Sequence, residues 1–86
     1  MTPHISPDER ERVFKTLEFP MMAEPGTLNF VITKAIQAYL SQKHEVRYAD
    51  YNEVMGVLEC CKMELYRMVI SKYEDEKIKI HGSAYP

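Results

Sequence analysis

The chain is 86 residues long, 45% hydrophobic and 28% charged, with a net charge of −2 at pH 7. That length sets one domain, 1–86, with a marginal core, because a chain this small buries only roughly 60–65% of its unfolded surface. Both signs are mixed throughout: three basic and four acidic groups in residues 1–20, five and six in residues 51–86. No basic stripe can meet a run of phosphates, so double-stranded nucleic acid is excluded as the expected partner.

Ser6-Pro7-Asp8-Glu9 predicts a helix start, with Ser6 as N-cap, Pro7 at the first helical position and Glu9 reaching back. This helix should run to about Glu18, bury Val13, Phe14 and Leu17, and carry Asp8–Arg12 and Glu11–Lys15 pairs on its solvent side. Residues 19–26 hold two prolines and a glycine and read as a connector. Thr27 then caps a second helix, Leu28 to about Gln42, with Leu28, Val31, Ile32, Ala35, Ile36, Tyr39 and Leu40 as its apolar face. Residues 43–49 form a polar link. Asp50, with Glu53 three residues on, predicts the start of a third helix that stops at Gly82.

At roughly 47 Å, that third helix is longer than the two before it can cover. An interruption near Ser71-Lys72-Tyr73, or a short terminal strand over Ile78-Lys79-Ile80, are the alternatives to a continuous helix. At 100° per residue, Val54, Val57, Leu58, Cys61, Leu65, Met68 and Val69 share one face. Met55, Met63, Tyr66, Ile70 and Tyr73 share a second, with Asn52, Gly56 and Glu59 among them. A helix apolar on two sides needs two partners. The expected architecture is therefore all-α, three main helices with a long C-terminal one, assembled into a homo-oligomer. The expected subunit interface is Met55, Gly56, Glu59, Met63, Tyr66 and Ile70, and a symmetric dimer is the default.

Catalytic signatures are scarce. His4, His44 and His81 lie in separate segments with no second ligand at metal spacing, so no metal site is expected. The adjacent pair Cys60-Cys61 points about 100° apart on a helix, poor geometry for a bridge; Cys61 falls on the first face and Cys60 on the polar side. No glycine-rich phosphate loop and no nucleophile elbow is present, and no cofactor is expected. Glu59 reads as an ion pair at a subunit contact, as a functional acid, or as a solvated side chain. Glu64 and Arg67 read as a surface pair, or as an anion-binding arginine held by its neighbour. Tyr51 and Asn52, beside Tyr48 and Arg47, suit a planar ring and a phosphate, or an anchored interhelical corner. No run approaches the ~18 apolar residues of a membrane span, and no signal peptide opens the chain. A cytoplasmic setting is expected.

Leu28-Asn29-Phe30-Val31-Ile32-Thr33, Tyr51-Asn52, Gly56-Val57-Leu58-Glu59, Lys62, Glu64-Leu65-Tyr66-Arg67 and Tyr73-Glu74-Asp75 with Lys77-Ile78 resemble a family of short uncharacterised proteins found largely in bacteriophage and prophage genomes. The resemblance spans roughly residues 26–85. The family has proline just before its Tyr-Glu-Asp, where this chain has Lys72, and closes on Asn-Gly-Asp-Val-Tyr, where this chain has His81-Gly82-Ser83-Ala84-Tyr85. The resemblance implies a phage-type protein working in the host cytoplasm by binding. Three functions follow as expectations. The first is a non-enzymatic oligomer that sequesters a small anionic ligand, such as a cyclic nucleotide of host immune signalling, with Tyr51, Asn52, Arg67, Tyr73 and Lys77 at subunit junctions. The alternative is a module that binds or inhibits a host protein, and the third is an enzyme using Glu59 or Glu64 with Arg67.

Overall fold

The computed structural model describes residues 5–85, so His4 lies outside the described residues. The elements are α1 (Pro7–Thr16), α2 (Pro25–Ser41), α3 (Tyr48–Leu65), a π turn (Tyr66–Ile70) and α4 (Ser71–His81). α3, the π turn and α4 run on without a break, so the fold is all-helical with a long C-terminal helix, and no strand occurs among the described residues. Two compact units divide the chain, Met1–Val54 and Met55–Pro86.

In the first unit, α1 starts as its sequence predicts: the Glu9 amide donates to Ser6 Oγ at 3.2 Å. The Glu9 carboxylate does not return the bond. It pairs with Arg12 at 3.4 Å, displacing the expected Asp8–Arg12 pair, while Glu11 meets Lys15 at 3.7 Å. The helix stops at Thr16, two residues early, where the Thr16 hydroxyl donates to the Val13 carbonyl and the Leu17 amide to that of Phe14. Val13, Phe14 and Leu17 are exposed rather than buried, because nothing in the structure covers that side of α1.

α2 begins at Pro25, not after Thr27. The proline ring fixes φ at a helical value and has no amide to leave orphaned. The Thr27 and Leu28 amides both donate to the Glu24 carbonyl, so the first turn is closed before Thr27 can act as a cap. The third helix likewise starts ahead of its predicted cap. Asp50 sits inside the first turn and its carboxylate accepts from the Arg47 amide at 2.9 Å. That is the return half of a capping box. Glu53, the expected second half, points elsewhere and accepts from the Tyr39 hydroxyl at 3.0 Å.

The second unit is a single run of helix. Its interruption falls just before Ser71 and is a π turn, not a break. The Ser71 amide donates to the Tyr66 carbonyl, five residues back. The Ser71 hydroxyl donates to the Arg67 carbonyl, four back, at 2.8 Å. The side chain thus occupies the acceptor from which the backbone amide has shifted, which is how the turn tolerates one residue too many. Residues 78–80 are helical, so the strand alternative is excluded. Gly82 ends α4 at φ +82°, with its amide on the Ile78 carbonyl at 2.7 Å. Only glycine takes that φ without strain.

No described residue in either unit is buried. Val31, Ile36, Leu40 and Val54 are half-buried, and the large apolar side chains of the chain are otherwise mostly exposed. This corrects the expectation that one face of the long helix is covered within the chain: Leu65, Met68 and Val69 are each more than half exposed. The π turn also corrects the face assignments. Stepping 100° per residue fails across it, and Tyr73 leaves the face shared by Met55 and Tyr66.

Candidate functional site

At the α2–α3 corner the first unit assembles a polar chain that sequence reasoning did not single out. The Lys43 ammonium sits 4.8 Å from the centre of the Tyr39 ring and 3.7 Å from the Asp50 carboxylate. The Tyr39 hydroxyl passes its own hydrogen to Glu53. Hydrogen bonding to the Tyr39 hydroxyl, with the Asp50 and Glu53 carboxylates behind it, raises Lys43 above its usual 10.5. Tyr39 was placed on an apolar face by its spacing, and nothing in the spacing reports that its hydroxyl reaches fourteen residues along the chain to a carboxylate. Tyr51 and Asn52 follow on α3, both exposed, and Tyr48 is more exposed still. The cluster fixes the corner: it ties the end of α2 to the start of α3 through three side-chain contacts.

The second unit presents Arg67, Tyr73 and Lys77. Lys77 lies over the Tyr73 ring at 5.4 Å, one helical turn on, as an exposed cation–aromatic pair. Arg67 is paired with Glu64 at 3.5 Å, and its side chain is 74% exposed. Glu59 is a solvated side chain paired with Lys62 at 3.6 Å. Such pairs contribute about 0–1 kcal/mol, so they hold neither arginine nor lysine away from an incoming anion. Tyr66 opens the π turn, and its hydroxyl bonds to Glu74, whose charge raises the phenol above its usual 10.0.

Both shifted groups carry the same pH signature. Each holds its proton more tightly when folded, so its stabilisation is present below its unfolded value and is lost as pH rises through the folded one. Thermal stability is therefore expected to hold level to about pH 9.5 and to fall above pH 10. Lys43→Met with Tyr66→Phe should flatten that fall; an unchanged alkaline slope in the double variant would show that neither contact matters to the fold.

Of the expected interface residues, Met55, Met63, Tyr66 and Ile70 are all exposed, Met55 by 67%. A Cβ added at Gly56 would meet nothing within 4 Å. Gly56→Ala should then stabilise an isolated chain by about 1 kcal/mol through helix propensity alone. A denaturant melt that shows a loss instead would reveal another backbone packed against Gly56. Cys60 is half-buried and Cys61 exposed, the reverse of their predicted placement, because the first face is uncovered. Among the described residues no group of three or more His, Cys, Asp or Glu is placed to hold a metal ion. No helix among them is long and apolar enough to cross a membrane.

These features define an all-helical protein. The chain belongs to the family described as domain of unknown function DUF6899, which it matches over residues 2–84. Comparison with curated proteins and with solved structures gives no match.

Proposed function

We propose that this protein acts by binding rather than catalysis, as a homo-oligomer that takes up a small anionic ligand at its subunit junctions. The observation that carries the reading is the absence of any buried residue among those described. Apolar side chains left in water on this scale are a surface for association. Tyr51 and Asn52 in the first unit, and Arg67 with the Tyr73–Lys77 pair in the second, supply the rings and cations that a nucleotide needs at such a junction. The resemblance of residues 52–78 to short phage and prophage proteins supports a setting in the host cytoplasm. It also favours a cyclic nucleotide of host immune signalling as the ligand class, sequestered and not consumed.

The test is thermal stability against a panel of mono-, di- and cyclic nucleotides, with native mass read on the same samples. At a hundred times its dissociation constant a specific ligand stabilises the fold by about 2.7 kcal/mol. Recovery of the nucleotide intact separates sequestration from hydrolysis by Glu59 or Glu64 with Arg67. A second reading, capture of a host protein, is favoured by one observation: Phe14, Phe19 and Met21 in the first unit are each more than 60% exposed, Met21 91%. A flat response across the panel, on a chain that runs as a monomer, would replace the first reading with the second.

A further inference from the structure

The π turn does something specific to the surface of the second unit. An uninterrupted α-helix returns nearly to the same face every seven residues. Leu58 and Leu65 would then be followed by Lys72 and Lys79, and the stripe would end in two ammonium groups. A π turn takes one residue more than an α turn. The same face is therefore met one residue later, at Tyr73 and Ile80, with Val69 between. Leu65, Val69, Tyr73 and Ile80 are 54, 57, 64 and 68% exposed. The turn, marked by the Ser71 hydroxyl on the Arg67 carbonyl and the Ser71 amide on the Tyr66 carbonyl, aligns an apolar seam along the unit. Only Glu76 interrupts it.

Two features of the sequence say what covers the seam. Leu65 and Tyr73 lie equally far from Val69, and so do Leu58 and Ile80. Beside the seam, Glu64 and Lys72 are of opposite sign, and each immediately precedes a seam residue, Leu65 and Tyr73. On the turn-adjusted helix, Glu64 and Lys72 therefore fall on the same flank. An antiparallel partner brings like flank to like flank, so Glu64 of one copy lies roughly 3 Å along the axis from Lys72 of the other, within reach of two long side chains.

We infer that residues 58–80 of two copies of this chain pair antiparallel, with the two-fold axis crossing the π turn. Val69 meets Val69, Leu65 meets Tyr73 and Leu58 meets Ile80, and on the flank Glu64 reaches Lys72 two residues out of level. The contact is isologous, the ordinary form of a two-fold interface. The intrahelical pair Glu64–Arg67, solvated, is weak enough to exchange partners. A parallel pairing sets each seam residue against its own copy and brings Glu64 to Glu64 and Lys72 to Lys72. The inference rests on the homo-oligomeric part of the reading above, and it places the contact on the seam, leaving the Met55 and Tyr66 face outside it.

Single cysteines introduced into the full chain, in a Cys60→Ser, Cys61→Ser background, test the geometry under a mild oxidant. Val69→Cys, at the axis, is expected to form a covalent dimer, and Leu65→Cys, opposite Tyr73, is not. A charge exchange in the native-cysteine chain gives a second readout. Glu64→Lys alone and Lys72→Glu alone should each weaken the dimer roughly tenfold, and the double exchange should restore it. Restoration cannot come from within one helix, where these two residues are two turns apart. Cross-linking through Leu65→Cys overturns the antiparallel arrangement. An assembly that persists by native mass, with no cross-link at residue 69 and no rescue, overturns the seam and leaves the homo-oligomer standing. A chain that stays monomeric at every concentration overturns both.

Discussion

Leu65→Lys combined with Tyr73→Lys is expected to abolish assembly and, with it, most of the helical signal of the second unit. Burial of a large apolar side chain stabilises by about 1.5–3 kcal/mol, so two removed from the seam cost each copy roughly 3–6 kcal/mol. That is a large part of the 5–15 kcal/mol typical of a whole domain. No internal core stands behind it, since no described residue is buried in the chain by itself. A lone amphipathic helix of this length is marginal in water, because most helical stability comes from packing an apolar face. Sedimentation should then report a monomer, and far-UV circular dichroism at the same concentration should report lost helix. Substituting Met55 and Met63 with lysine controls for charge alone and should leave the two-fold contact in place. Retained mass and retained helicity in the Leu65, Tyr73 variant would show that the seam faces water in the working protein.

Local chemistry was legible in the sequence and tertiary placement was not. Ser6 capped α1 and Gly82 ended α4 where their residue types require, since a cap is decided by side chains within a few positions. The starts of α2 and α3 were misread for an equally local reason: Pro25 and Asp50 act inside the first turn, and Thr27 and Glu53 only resemble caps. The π turn has no signature in composition or spacing. It shows in the Ser71 hydroxyl and amide, which reach carbonyls four and five residues back, and only a three-dimensional backbone shows that. Its consequence for faces was invisible too, because a helical wheel assumes a constant step. Of the candidate site residues, Arg67, Tyr73 and Lys77 lie exposed in the second unit as a binding role requires, and Tyr51 and Asn52 do so in the first. The Tyr39–Glu53 contact, between residues chosen for other reasons, could not be read from a pattern.

Proline placed at two points of the long helix should separate the α-helical ladder from the π turn. Leu58→Pro falls in the middle of α3, where each amide bonds four residues back. It removes one such bond and drives the ring into the preceding turn, at a cost of about 3 kcal/mol or more. Lys72→Pro falls one residue after Ser71, whose amide already reaches five residues back to Tyr66. The ladder there is loosened, and the Arg67 carbonyl has a hydroxyl donor of its own. Proline at this point meets a backbone already opened, and the loss should be well below that of Leu58→Pro. Urea melts of the two variants decide the matter: a large cost at 58 and a small one at 72 is expected. Equal costs would mean that residues 66–71 are ordinary α-helix in solution. In that case Leu58 and Leu65 would lead to Lys72 and Lys79, and the antiparallel seam would lose its register.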